Sequence, residues 1–129
     1  MAKGLGLNMP VNDAATADFV MCLLHSATNA HILHLQSTSF SQHSALGEYY
    51  ENIVGLTDSL VEVYQARGII MKYPSTFTIP TEPIEYMMYL KEYVSSNREM
   101  VCEESYIQNI IDEIAALIDR TIYKLRFLK

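Results

Sequence analysis

The sequence predicts an all-α protein folded as an antiparallel four-helix bundle, and three observations carry this prediction. Apolar side chains recur at intervals of three and four in four separate segments, most regularly over residues 103–127. The first two segments are long and are joined by a turn of a few residues, which makes them antiparallel neighbours. The chain has 129 residues, 50% of them hydrophobic. That length can bury one core, so we expect a single domain over residues 1–129.

The first helix is predicted over residues 13–36, after an N-terminal arm formed by residues 1–11. Asn12 has a side chain suited to capping the first turn of this helix. Thr28 and Asn29 fall in mid-helix, where polar residues are mildly unfavourable. This placement predicts that they face a partner or a polar pocket.

The second helix is predicted over residues 41–67, with either Ser39 or Ser41 as its N-cap. Gly68 suits the position just beyond the end of a helix, because glycine tolerates a positive φ. At about 100° per residue one arc of this helix is apolar and should face the core. Its members are Leu46, Tyr49, Ile53, Leu56, Leu60, Val63 and Tyr64.

Residues 68–81 contain two prolines and should form a partly extended loop that covers the bundle or a partner. The side chains expected to pack this loop are Ile69, Ile70, Phe77 and Ile79.

A third helix is predicted over residues 82–97, capped by Thr81 and ended by the polar run at residues 95–97. The fourth helix is predicted over residues 103–127.

Charge and cysteine content exclude several classes of protein. The net charge of −6 disfavours nucleic acid as a partner, because phosphate binding requires positive charge. Cys22 and Cys102 lie far apart without CxxC spacing, which indicates free thiols in a reducing compartment. No apolar run reaches membrane-spanning length, and the N-terminus lacks the apolar region of a signal peptide. We therefore expect no membrane association and a cytoplasmic location, in a cell or in the host of something that replicates in one.

Histidines and carboxylates concentrate where the first helix ends and the second begins. His31 and His34 lie near the end of the first helix and His43 near the start of the second. On the helical wheel His43 shares a face at the edge of the core with three acidic residues: Glu51, Asp58 and Glu62. Imidazole with carboxylate suits iron, and also zinc or manganese. Two interpretations remain open: a metal site buried against another chain, or the solvated edge of an amphipathic helix.

Residues 34–68 resemble the core motif of Dps-type mini-ferritins, and are most similar to short phage-encoded Dps-like proteins. The resemblance rests on HLQSTSFSQHSALGEYY, which begins at His34, and on the acidic pair that follows it. The matching positions are His34, Phe40, His43, Tyr50, Asp58 and Glu62. The sequence departs from the motif at Gly47, where the family usually has an acidic residue.

This resemblance implies a ferritin-like subunit with a metal site shared across a two-fold dimer interface. One subunit would supply His43 and a histidine of the first helix, either His34 or His31, and the other would supply Asp58 and Glu62. Glu51 is a further candidate ligand because position 47 lacks the acid. A site of this kind binds Fe(II) and oxidises it with peroxide or oxygen.

Two functions are therefore predicted for the chain. The first is a mini-ferritin-like, metal-binding homo-oligomer with an iron-oxidising site. The second is a structural or interaction protein, such as a component of a phage virion or another larger assembly, that keeps the helical bundle without catalysis. The sequence leaves open whether the protein is an enzyme.

Overall fold

The computed structural model describes residues 12–74 and 80–128, and these residues form four α-helices. The helices are α1 (Asp13–Gln36), α2 (Phe40–Gln65), α3 (Pro83–Val101) and α4 (Ser105–Phe127). They pack against one another, so the predicted all-α four-helix bundle is confirmed. The predicted N-terminal arm at residues 1–11 lies outside the described residues, as do Phe77 and Ile79 of the predicted loop.

Side-chain caps set the starts of the first two helices. The Asn12 Oδ1 accepts a hydrogen bond from the Ala15 backbone N–H at 2.9 Å, as predicted. Ser39, rather than Ser41, caps α2, because its hydroxyl accepts from the Gln42 N–H at 3.3 Å. The Ser41 hydroxyl instead donates to the carbonyl of Leu128 at 2.6 Å, beyond the end of α4.

The predicted cap and end of the third helix are both wrong. Glu82, not Thr81, is the N-cap residue of α3, and its side chain makes no capping hydrogen bond. Proline follows at the first helical position, where its fixed φ favours the helix and its missing N–H needs no acceptor. The polar run at residues 95–97 does not end the helix, which continues to Val101 because that side chain is buried. The Asn97 amide donates to the carbonyl of Tyr93 at 2.8 Å, within the helix.

Contacts at the helix ends show that neighbouring helices run antiparallel. The Tyr64 hydroxyl donates to the Asp13 carboxylate at 2.6 Å, so α2 ends where α1 begins. Arg67 pairs with Glu104 at 3.8 Å, so α2 also ends where α4 begins. The bond from Ser41 to the end of α4 lies at the opposite end of the bundle.

The helix α3 also runs antiparallel to α1. Tyr86, near its start, accepts from Asn29, while Tyr93, further on, packs its ring against Phe19 with centroids 5.8 Å apart. The segment between Gln65 and Pro83 therefore joins opposite ends of the bundle. A four-helix bundle with one such long crossover has the connectivity of ferritin-like folds, which defines an architecture and not a function.

One continuous core lies between the helices. From α2 it receives Leu46, Tyr49, Ile53, Leu60 and Tyr64, as predicted, with Leu56 and Val63 partly buried beside them. Cys102 is buried in the core and Cys22 is half-buried, and both are free thiols. Among the described helices none is long and apolar enough to cross a membrane.

The segment after α2 packs differently from the prediction. Gly68 adopts a φ of 110°, the left-handed conformation expected of a glycine beyond a helix end. Ile69 and Ile70 are exposed by 43% and 77%, so they do not pack this segment onto the bundle, and the alternative, that they cover a partner, stays a prediction. Met71 is buried instead, and its N–H donates to the Gln65 side chain at 3.1 Å.

A chain of buried hydrogen bonds ties α1 to α2. The Ser26 hydroxyl lies 2.6 Å from the Leu23 carbonyl and 2.7 Å from the Tyr49 hydroxyl. Because a carbonyl can only accept, Ser26 donates its single hydrogen to Leu23, and the Tyr49 hydroxyl must donate to Ser26. Tyr49 thus depends on Ser26 for its acceptor, whereas Ser26 keeps its carbonyl partner without Tyr49.

This asymmetry predicts unequal effects of the two single substitutions. Ser26→Ala should lower the free energy of unfolding by about 2 kcal/mol, since it leaves a buried phenol without an acceptor. Tyr49→Phe should lower it by only about 1 kcal/mol. Urea unfolding of both variants and of the double variant measures the difference. The double variant should be more stable than Ser26→Ala alone, and the opposite order would contradict the assigned donor.

Candidate metal centre

The turn between α1 and α2 brings two of the predicted histidines into contact. His34 lies in the last turn of α1 and His43 in the first turn of α2, with residues 37–39 between the helices. Their rings stack with centroids 3.6 Å apart and planes inclined by 20°. Both side chains are half-buried.

Each of these two rings is held by the backbone of the other residue. The Nδ1 of His34 lies 2.6 Å from the carbonyl oxygen of His43, and the Nδ1 of His43 lies 2.8 Å from the carbonyl oxygen of His34. Carbonyl oxygens only accept, so both Nδ1 atoms carry the hydrogen. In the neutral rings Nε2 then keeps its lone pair. Metal-binding histidines are oriented by the same kind of Nδ1 hydrogen bond.

Gly47 allows the His34 ring to occupy this position. A Cβ atom placed on Gly47 would lie 3.1 Å from the Cε1 and 3.2 Å from the Nδ1 of His34. These distances are closer than ordinary van der Waals contact. The acid that the family resemblance leads us to expect at position 47 is therefore replaced by a residue that makes room for an imidazole.

A third histidine and a tyrosine extend the group of rings. His31, one turn before His34, is exposed and stacks on Tyr50 with centroids 4.0 Å apart. Its ring centroid is 6.0 Å from that of His34, and the Tyr50 ring meets His34 edge-on. We call His31, His34 and His43 the histidine cluster. It presents imidazoles from both helices at one end of the bundle.

The predicted carboxylate ligands lie away from this cluster. Asp58 is fifteen residues beyond His43 on the same helix, which corresponds to about 22 Å along the axis. Asp58 and Glu62 are exposed one turn apart, and neither side chain has an ion pair or hydrogen bond within residues 12–74 and 80–128. Glu51 is exposed as well.

A single chain does not assemble the predicted ligand set. Across the described parts of the chain, no three or more His, Cys, Asp or Glu residues are grouped so as to hold a metal ion. The acid closest in sequence to position 47, Glu48, forms an ion pair with Lys124 of α4. A complete site built from the predicted residues therefore requires carboxylates from a second subunit.

Two features of the centre were not predicted from the sequence. The first is the contact between Gly47 and His34, which joins residues on different helices and leaves no local signal. The second is the stacking of His31 on Tyr50. In the sequence Tyr50 is a matching position of the family motif and nothing more. Its spacing from Leu46 and Ile53 nevertheless places it at the edge of the core, which is the signal that could have indicated a contact with α1.

The architecture is a four-helix bundle with one long crossover and a histidine cluster at one end. The sequence matches the model of a family of unknown function, DUF5856, over residues 34–125. This match covers more than two thirds of the chain, so the protein belongs to the DUF5856 family. No curated protein and no solved structure matches the chain.

Proposed function

We propose that this protein is a mini-ferritin-like metal-binding subunit whose site is shared between two copies of the chain. His43 and a histidine of α1, either His34 or His31, belong to one copy, and Asp58 and Glu62 belong to the other. Nitrogen and carboxylate donors of this kind suit Fe(II), with zinc or manganese as alternatives. The single observation that carries the proposal is the pair of stacked imidazoles whose Nδ1 atoms are both held by backbone carbonyls.

The positions of the two groups on α2 suit a two-fold dimer. In a symmetric contact residue i of one copy meets residue j of the other, and j meets i. For His43 to meet Asp58 and Glu62 of a partner, the axis must cross α2 between them, near residues 50–53. Just beyond this stretch, Val54 and Gly55 are exposed, and Gly55 has no side chain to keep two helices apart. Each dimer would then contain two equivalent sites.

One observation and one energetic argument favour Asp58 and Glu62 as ligands in a site of the partner subunit. Asp58 and Glu62 are i,i+4 neighbours on an exposed face and have no partner within the described residues. Burying them in a dimer without a counterion would be unfavourable by several kcal/mol, so a metal ion or an imidazole must meet them there. The histidine cluster of the second copy supplies such a group.

Iron is the substrate in the proposed activity. Two Fe(II) ions would give one electron each to hydrogen peroxide, whose O–O bond breaks to yield two hydroxide ions and two Fe(III) ions. The contribution of this chain is to hold Fe(II) through Nε2 and carboxylate oxygens. Because Gly47 contributes no ligand, a site with fewer protein ligands than the family motif is expected.

A mixing experiment tests the shared site directly. His43→Ala and the double variant Asp58→Ala/Glu62→Ala should each bind Zn(II) or Fe(II) about 30-fold more weakly than the natural chain, because each lacks ligands in both sites. When the two variants are unfolded together and refolded, mixed dimers regain one intact site. Titration calorimetry should then recover up to one site per mixed dimer, and Fe(II) oxidation should return in parallel.

The controls separate this proposal from its alternatives. Glu99→Gln removes an exposed carboxylate of α3 and should leave metal binding unchanged. His31→Ala and His34→Ala, measured separately, identify the α1 ligand by which one weakens binding. Failure of the mixed dimers to regain metal binding would exclude a shared site.

A non-catalytic assembly protein is the second candidate, and exposed apolar side chains favour it. Phe40 is 80% exposed at the start of α2, Leu35 is 69% exposed near the end of α1, and Phe127 is 66% exposed at the end of α4. Apolar surface of this kind is typical of an interface between subunits. A stable oligomer that binds no metal in the experiments above would support this function over the first.

A further inference from the structure

A pocket of about 570 Å³ lies between α1 and α3, beside Pro74 and Pro80 of the segment that follows α2. Pockets of this volume are typical of small-molecule sites. The side chains that carry the argument below are Asp18, Cys22 and Asn29 of α1 and Tyr86, Tyr89 and Tyr93 of α3. None of them belongs to the proposed metal centre.

Asn29, which lines this pocket, carries a side-chain oxygen that lacks a hydrogen-bond donor among the described residues. The residue is 97% buried, at 3% exposure, and its Nδ2 donates to the Tyr86 hydroxyl at 3.0 Å. Its Oδ1 is buried and has no hydrogen-bond donor within the described part of the chain. Buried polar atoms in native proteins are rarely left unpaired, because losing water without a replacement is unfavourable. A ligand that offers an N–H group would satisfy this oxygen.

Three tyrosines form an aromatic wall on the α3 side. The ring centroids of Tyr86 and Tyr89 are 6.5 Å apart, and those of Tyr89 and Tyr93 are 6.1 Å apart. Burial raises the pKa of Tyr93 to about 12 and also raises that of Tyr86, so both phenols are neutral at physiological pH. Neutral tyrosine rings attract cations to their faces.

The charge of the pocket also favours a cation. Asp18 lines it with an exposed carboxylate that has no ion pair among the residues described. Burial raises the pKa of the Cys22 thiol to about 11, which keeps this group uncharged. No lysine or arginine is present among the described residues that line the pocket.

We propose that this pocket binds a small organic ammonium ion with an apolar or aromatic body. The ammonium group donates to Asn29 Oδ1 and lies within the field of the Asp18 carboxylate. The apolar body packs against the tyrosine wall. This inference does not depend on the proposed metal site, because the two share no residue.

Three probes of similar shape test the charge requirement: phenethylamine, 2-phenylethanol and phenylacetate. Phenethylamine, a cation at pH 8, should bind with a Kd of about 0.1–1 mM, as its size allows. Phenylacetate should bind at least about tenfold more weakly. Titration calorimetry and NMR shifts of α1 and α3 amides measure both. Because His25 also lines the pocket, the assay is run above the ordinary titration range of imidazole.

Variants of Asn29 and Asp18 locate the binding groups. Asn29→Leu should weaken phenethylamine binding about tenfold, and Asn29→Asp should strengthen it, because a carboxylate accepts from an ammonium more strongly than an amide does. Asp18→Asn alters an exposed residue, leaves the fold intact, and should weaken binding about threefold. Glu113→Gln removes the same charge from an exposed residue of α4, which contacts α3 but not α1 and does not line the pocket, and should have no effect.

The proposal is overturned if none of the three probes binds or if phenylacetate binds as tightly as phenethylamine. It is equally overturned if Asn29→Leu and Asn29→Asp, both shown to be folded by circular dichroism, bind phenethylamine like the natural chain. Tighter binding of phenylacetate than of phenethylamine to the natural chain would also overturn the proposal, because it would indicate a pocket for ligands that carry hydrogen-bond acceptors.

Discussion

Replacing Gly47 with aspartate is expected to lower the free energy of unfolding by about 3 kcal/mol. The added Cβ would lie 3.1 Å from the His34 ring, which cannot move away without losing its bond to the His43 carbonyl. Inserting atoms into a packed site commonly lowers stability by about 1–3 kcal/mol, and a buried carboxylate without a donor adds to this loss. The variant should also disturb the stacked imidazoles.

The same helix offers a matched control. A Cβ placed on Gly55 meets no atom within 4 Å, and the residue is exposed. Gly55→Ala should therefore raise the free energy of unfolding by about 1 kcal/mol, the usual gain from replacing glycine in a helix. Gly47→Ala should lower it by about 1 kcal/mol, because the crowding of His34 exceeds that gain.

Urea unfolding of the four variants Gly47→Asp, Gly47→Ala, Gly55→Asp and Gly55→Ala measures these effects. Gly55→Asp should fall within about 0.5 kcal/mol of the natural chain. If Gly47→Asp proved as stable as Gly55→Asp, the His34 ring would have to lie elsewhere. The acid of the family motif could then be restored without loss, and Gly47 would have no structural role.

The bundle is expected to unfold in alkali, with its free energy of unfolding falling by at least about 3 kcal/mol per pH unit above pH 11. Tyr49 is fully buried and Tyr64 nearly so. Burial is the main cause that raises the pKa of both phenols, and for Tyr64 the hydrogen bond to Asp13 raises it further. Both phenols stay protonated in the folded chain well above pH 10.

The direction of this pH dependence follows from the number of protons that the folded and the unfolded states bind. In the unfolded chain tyrosine ionises near its ordinary pKa of about 10. Above that pH the folded state binds more protons than the unfolded state, so stability decreases as the pH rises. Each phenol contributes about 1.4 kcal/mol per pH unit once its unfolded form is ionised, so Tyr49 and Tyr64 together contribute about 3 kcal/mol per pH unit. Tyr86, whose pKa burial also raises, makes the slope steeper.

Chemical unfolding at a series of pH values from 9 to 12 measures this slope, and absorbance at 295 nm reports phenolate formation. The buried phenols should ionise together with unfolding. Tyr49→Phe and Tyr64→Phe should each make the slope shallower by about 1.4 kcal/mol per pH unit. Tyr123→Phe, at an exposed position, serves as the control. A free energy of unfolding that stayed constant from pH 9 to 12 would contradict the prediction.

Much of the fold follows from local sequence. The predicted bounds of the first helix, residues 13–36, coincide with α1, and Asn12 caps it as expected. The apolar arc of the second helix is the face that α2 turns to the core. These features depend on residues within one or two turns of each other, so hydrophobic spacing and capping chemistry suffice to predict them.

The third helix shows where local signals fail. Ser95, Ser96 and Asn97 are residues that often end helices, yet α3 runs on to Val101. Burial of Val94 and Val101 against the core outweighs the weak preference of the polar run for a turn. Helix-propensity differences of a few tenths of a kcal/mol per residue are smaller than the stabilisation that tertiary packing of this kind provides.

The sequence by itself determined the helical class, the capped start of the first helix, and the concentration of histidines at the first turn. Only the tertiary structure decided that His34 lies against Gly47, that two imidazoles are held by each other's backbone, and that Asn29 opens into a pocket lined by tyrosines of α3. Each of these contacts joins different helices. Their geometry depends on how the helices pack, which spacing along one helix does not specify.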